Sequence, residues 1–399
     1  MKTQAFTPVT KGITRRDGLL TMLGSAMALA GCGGGGTSGA ASAGLSSGGT
    51  GSFSSGAITG FGSIIVGTIR YDDSKAISIL DIDDDNKDLR NQLKLGMIVR
   101  VKGKPKSGSR ADAETIEVRS ELLGPIEKID TTAKTFVVLG QTVQISAATF
   151  FEDGLTGLAA LVVNDIVEVH GFVDPATNKL AATRIERKVL NLKPFKLQGT
   201  IIDFNATAQT FKIGTLTISF ATANIPTSLL LRNGLLVRVR LEPTLTGGTR
   251  KALKIRAAEQ ETENRDEAEV EGTITAFTSS IKFSVSGLPV DASGAVVPTG
   301  LKLGDRVEVE GRLVNGVLVA RKVELENEED PLKFELHGTV SVLNTTNKTF
   351  VLRGVTVDYS AAIFSRGTVS TLVNGSQIEV KGIASADGTK LKATRISFE

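Results

Sequence analysis

Few residues in this chain could do acid–base, nucleophilic or metal chemistry, and their spacing argues against all three. Among 399 residues there is one thiol, Cys32, and there are two imidazoles, His170 and His337. Neither histidine has a partner at ligand spacing, and no Ser/His/Asp set recurs along the chain. His170 ends a short strand on its charged side and His337 precedes a turn glycine, so surface positions account for both. Asp81-x-Asp83-x-Asp85-Asn86 spaces oxygen donors as the start of a calcium loop does, but Gln92 stands twelfth, where such a loop needs a bidentate glutamate. A solvated acidic loop is the simpler reading, and no metal or cofactor is expected. Asp165 and Asp305 occupy one repeated place ahead of a strand, yet Met97 and Gly234 fill it elsewhere, which is turn chemistry and not catalysis. With no paired acids, histidine or cysteine to assemble, no enzyme activity is expected.

Cys32 stands apart because of what precedes it. Lys2, Lys11, Arg15 and Arg16 make a basic leader, and the mildly apolar stretch from Gly18 to Leu29 is too short to span a bilayer as a helix, so residues 1–31 read as a signal peptide. Leu29-Ala30-Gly31-Cys32 resembles the bacterial lipobox at all four positions, and the resemblance implies cleavage between Gly31 and Cys32 and acylation of the thiol. Thr14-Arg15-Arg16-Asp17-Gly18-Leu19-Leu20 is similar to a twin-arginine motif but departs from it at Gly18 and Leu20, so that route and an ordinary Sec route both stay open. The implied address is the bacterial cell envelope, lipid-anchored. Gly33 in place of an aspartate after the cysteine favours the outer membrane, at its periplasmic face or at the cell surface.

The stretch from Gly33 to Gly56 is nearly all Gly, Ser, Ala and Thr and cannot bury enough apolar surface to offset ordering entropy. Residues 32–56 are therefore expected to be a lipidated cysteine on a flexible tether spanning roughly 25–30 Å. Without the leader the remainder carries 42 basic and 42 acidic residues. That balance removes the general electrostatic case for nucleic acid or an anionic surface as partner. A single cysteine permits no disulfide within the chain.

The elements that must position any site come in five copies. Gly304-Asp305-Arg306-Val307-Glu308-Val309-Glu310-Gly311 has counterparts around Val99, Val167, Val237 and Ile378, at intervals of 68–71 residues. The glycines Gly67, Gly140, Gly214, Gly287 and Gly354 recur independently every 67–74 residues. Val-x-Val places two branched side chains on one pleat face and charged neighbours on the other, the pattern of a half-buried strand. Each repeat reads as three strands in hairpin succession, a looser stretch, the Val-x-Val strand and a last strand such as Leu391 to Ile396, where Ala and Ile three apart suggest a bulge. This predicts an all-β chain of five small OB-like barrels at 57–120, 121–188, 195–258, 267–326 and 333–399, with an SH3-like barrel or a continuous β-solenoid as alternatives. The joins at 187–195, 256–267 and 324–333 are polar or charged, and the acidic runs 259–271 and 324–330 read as solvated linkers. Barrels this small are marginal alone, so docking between neighbours is expected.

The opening Ala57 to Val66 with Gly96 to Val99, and then Thr135-Phe136 to Gly140, Asp165 to Gly171 and Ala182-Thr183-Arg184-Ile185, resemble a domain-of-unknown-function family found as tandem repeats in bacterial envelope lipoproteins. The resemblance extends over nearly all of 57–399 and rests on turn glycines and core positions, so it carries no catalytic residues with it. Module 3 departs most, with Leu241-Glu242-Pro243 where a glycine closes the fourth strand.

Single-stranded nucleic acid would require exposed aromatic platforms. The chain has no Trp and two Tyr, and Phe136, Phe211, Phe283 and Phe350 occupy one repeated slot, as core residues do. The leading expectation is a non-enzymatic envelope lipoprotein whose modules bind or space other envelope components, an envelope protein or a glycan among the partners. The alternative is a carbohydrate- or small-ligand-binding lipoprotein that uses one divergent module.

Overall fold

The computed structural model describes residues 51–399 apart from 84–86, 153, 176, 178, 189–193, 259–262 and 328–331. Module 2 shows the plan that all five follow. Leu122–Asp130, Thr135–Val138 and Gln141–Gln144 are successive antiparallel strands, and Ile166–Asp174 returns beside the first of them. Lys179–Lys188 then closes the barrel, antiparallel to the fourth strand and parallel to the third. The spatial order 1-2-3-5-4-1 is that of the OB fold and excludes a solenoid. The parallel closure recurs as Tyr71↔Ala111, Ile218↔Arg250, Val290↔Leu318 and Val357↔Leu391. Among the described residues helix is limited to two single 3-10 turns, Leu158–Ala160 and Val369–Thr371.

A cross-strand pair at the second and third strands explains the repeated phenylalanine. Phe136 lies opposite Val143, Phe211 opposite Ile218, Phe283 opposite Val290 and Phe350 opposite Val357. Module 1 exchanges the two sides, with Ile64 opposite Tyr71, so each barrel holds one ring and one branched chain in the same layer. All ten side chains are buried. The Tyr71 hydroxyl meets Ser54 Oγ at 2.8 Å.

The bulge expected in the last hairpin is present, and in four modules it falls at a glycine inside the fourth strand, which runs on past it. Register slips at Lys102/Gly103, His170/Gly171, Glu310/Gly311 and Lys381/Gly382. A Cβ at Gly171, Gly311 or Gly382 would meet a carbonyl oxygen of the fifth strand: that of Ala181, Val319 or Lys392. Module 3 slips at the same place with Leu241, and again before Leu245, and still closes its hairpin.

The modules dock, and with more than their sequence neighbours. Ser52–Phe61, the first strand of module 1, pairs in parallel with module 4 through Ser52↔Glu267 to Ser55↔Val270 and with module 5 through Gly60↔Glu335. Modules 1 and 5 share one apolar core, modules 2 and 3 share another, and Phe53 inserts into that of module 4. Phe150 of module 2 meets Phe334 of module 5 edge-on at 4.7 Å.

Several expected boundaries move. The tether cannot run to Gly56, because Ser52 to Gly56 are strand and nearly all buried. Module 4 begins at Arg265, before residue 267. The acidic run to Glu271 is not a solvated linker at its end: Glu269 and Glu271 are buried, the latter paired with Arg306. Neighbouring modules supply partners for Ser52 to Ser55 and for Glu269, whereas Glu271 pairs with Arg306 of its own barrel.

Candidate functional site: a cleft between modules 1 and 5

The acidic segment after Ser78–Asp81, a short strand parallel to the fifth strand of module 1, is a joint and not a loop in water. Asp81 and Asp83 are 8% and 5% exposed. Lys196 of module 3 reaches Asp81 at 2.5 Å, and Arg238 of module 3 donates through Nε to Asp83 at 2.9 Å. Burial alone would raise the Asp83 carboxyl, but Arg238 beside it outweighs this and holds it below the usual range. A divalent ion there would have to displace both cations. Asp85 and Asn86 lie outside the described residues.

His170 is also buried, contrary to its expected surface position, because modules 1 and 2 close over it. Its Nδ1 lies 3.3 Å from the Ile98 amide and 3.0 Å from the Arg119 carbonyl, and burial lowers the ring below the ordinary imidazole value. Nearby Glu121 is buried as well and is pushed up to about 8, despite Arg238 and the Gly171 amide that it accepts from at 3.0 Å. The space beside Glu121 is a cavity of about 30 Å³ that Arg119 and Arg238 also line, and the groups act as a joint.

A second carboxyl pair marks the contact of modules 1 and 4. Glu269 accepts from the Thr68 amide at 2.8 Å and from the Thr68 hydroxyl at 2.9 Å. Glu308 hydrogen-bonds to Glu269, and burial with that second carboxylate pushes Glu308 up to about 9. Both carboxyls are raised, and the pair therefore keeps a proton in the bond between Glu308 and Glu269. Glu308, Glu310 and Glu324 have carboxylate oxygens close enough for one ion, but Lys322 already bridges the last two at 2.9 and 3.0 Å.

His337 leads to open space. It is half-buried, with Nδ1 2.7 Å from Glu399 and Nε2 2.7 Å from Glu335. Burial opposes its charge, but these two carboxylates raise it above its ordinary value. Arg70 of module 1 and Lys381 of module 5 close on Glu335 at 2.5 and 3.2 Å and help hold it down to about 2. Glu335, His337 and Glu379 could together face one ion, yet the same two cations fill that position.

Beside this cluster lies a cleft of about 580 Å³. Module 1 contributes Gly62 and Ser63 from the loop between its first two strands, Arg70 and Asp72 from its third strand, and Lys106 and Arg110 from the hairpin joining its last two. Module 5 contributes His337, Arg353, Gln377 and Glu399. Arg353 sits at a two-residue turn with φ 49°, and its side chain packs over Gly338 while Nε donates to the His337 carbonyl at 2.5 Å. Arg110 is exposed and in no ion pair among the described residues. The sequence reading reached His337 but missed Arg70, Arg110 and Arg353. The available signal was that Arg353 fills the turn position taken by Leu139 and Ser286 in sister modules.

Gly31 and Cys32, where cleavage and acylation are expected, and the paired arginines Arg15 and Arg16 lie outside the described residues. No described helix is long and apolar enough to cross a membrane.

Comparison with known proteins bears on the repeats. No curated protein matches this chain. Among solved structures, drosophila Unr CSD456 is similar at 14% identity over 52% of this chain and 98% of that one, with a TM-score of 0.13. At that score the likeness carries no argument, and the OB assignment rests on strand pairing. Residues 124–186, 271–324 and 337–397 match a family described as Domain of unknown function (DUF5666). Modules 2, 4 and 5 are thus repeats of one domain of unknown function, and both modules that meet at the cleft are OB barrels.

Proposed function

We propose that this protein is a non-enzymatic, lipid-anchored binding protein of the bacterial cell envelope, and that it takes its ligand in the cleft between modules 1 and 5. One observation carries the binding site. The cleft is built on the third strand of module 1 and on the loops joining its first to second and fourth to fifth strands, the face by which OB barrels hold linear ligands. Module 1 also differs from its sisters, with its exchanged Ile64–Tyr71 pair and a short strand, Lys87–Asp88, added against Ser78–Asp81. The parallel pairing of module 5 with module 1 favours binding over spacing, because an array folded back on its first member gives up length. The lipobox around Cys32 supports the address.

The test is a glycan array probed with the protein and with Ser63→Trp, which places an indole in the cleft. Retention of a ligand by the first and loss by the second is expected. Equal retention by both would move the site elsewhere.

A further inference from the structure

Resting on that reading, we infer that the ligand is an acidic oligosaccharide, a chain bearing both hydroxyl groups and carboxylates. Arg110 and Arg353 face the cleft from opposite modules, and neither is in an ion pair among the described residues. Planar guanidinium groups bind carboxylates through two parallel hydrogen bonds, and Arg353 is pre-oriented by its Nε contact to the His337 carbonyl. Asp72, Glu399 and Gln377 line the same space. Their acceptor oxygens suit sugar hydroxyls, which a polyphosphate does not offer. No Phe, Tyr or Trp lines this cleft, and the one ring, His337, is held between Glu335 and Glu399, so a nucleic acid would find no free platform to stack on.

The length of the ligand follows from a neighbouring space. A second cleft of about 380 Å³ is lined by Arg90 and Lys94 of module 1 and shares Arg353 with the first. Arg353 thus stands on the ridge between two cationic clefts along one seam. A ligand that carries a carboxylate on successive units can contact Arg110, cross Arg353 and continue toward Arg90, which a single small anion cannot do. Phe61 and Leu93 in the second cleft offer an apolar floor for a sugar face.

The experiment is fluorescence anisotropy of labelled tetragalacturonate with the full-length protein, with cellotetraose, tripolyphosphate and an eight-nucleotide dT strand as competitors. Tetragalacturonate is expected to bind with an affinity that falls as salt rises, and cellotetraose to compete poorly. Arg110→Gln and Arg353→Gln should each weaken binding about tenfold, and Arg353→Lys less, because it keeps the charge and loses the fork. Unchanged thermal midpoints in these surface variants separate lost contacts from lost fold. If tetragalacturonate does not bind, or tripolyphosphate or dT competes more strongly, the proposal is overturned. Cellotetraose binding that Ser63→Trp blocks, with no binding of tetragalacturonate, would sink the acidic class and leave the cleft standing. Tetragalacturonate binding that Ser63→Trp does not affect would sink the cleft itself.

Discussion

Replacing Glu308 with glutamine should make the contact between modules 1 and 4 less sensitive to pH, and stronger at alkaline pH. In the folded protein Glu308 is pushed up to about 9 by burial and by Glu269, against an ordinary value of 4.5. Between those values the folded state holds a proton that the unfolded state has released, so stability falls as pH rises through that window. One full proton over pH 5 to 8 sets a ceiling of about 4 kcal/mol. Glu308 is only partly buried and shares its charge with Glu269, so solvent screening brings the expected effect to about 1–2 kcal/mol. The side-chain amide of the Glu308→Gln variant would donate to Glu269 at every pH and titrate nowhere. The local readout is hydrogen exchange of the Thr68 amide, which donates to Glu269 at 2.8 Å. In the wild type its protection, corrected for intrinsic exchange, should fall roughly tenfold or more from pH 5 to 8, and in Glu308→Gln it should stay nearly flat. Glu121, also raised, and His337 titrate alike in both proteins and cancel in the difference. Parallel pH profiles, or weaker protection in the variant at pH 8, would refute a proton held between Glu308 and Glu269.

Three further outcomes are expected. Phe53→Ala should cost about 3–5 kcal/mol in urea denaturation, since Phe53 is fully buried in the core of module 4; a change below about 1 kcal/mol would return residues 52–56 to the tether. Asp83→Asn leaves Arg238 buried beside a neutral partner and should destabilise by about 3 kcal/mol whether or not calcium is present, whereas a calcium-dependent difference would restore the ion site. Cys32→Ala should leave an unprocessed precursor that takes up no labelled palmitate; label in the variant would mean that the lipobox reading is wrong.

The repeat period, the strand class and the core phenylalanines were legible in the chain because a barrel core repeats itself: each module places a ring against a branched side chain, and all but module 3 place a glycine where the fifth strand comes close. The lipobox-like run ending at Cys32 is a short linear pattern that needs no fold to be read, and the export it implies is what the Cys32→Ala variant tests. Roles that depend on a partner module were not legible. Asp81 and Asp83 look like a solvated loop until Lys196 and Arg238, more than a hundred residues later, are brought against them. Glu269 and His170 look like surface groups until Thr68 and Ile98 close over them. Arg110 and Arg353 are ordinary turn-adjacent cations in the sequence, and only the pairing of the first strand of module 1 with that of module 5 places them across one cleft. Local periodicity encodes what each barrel buries within itself, and the burial of a charge against another barrel depends on long-range contacts that no local pattern records.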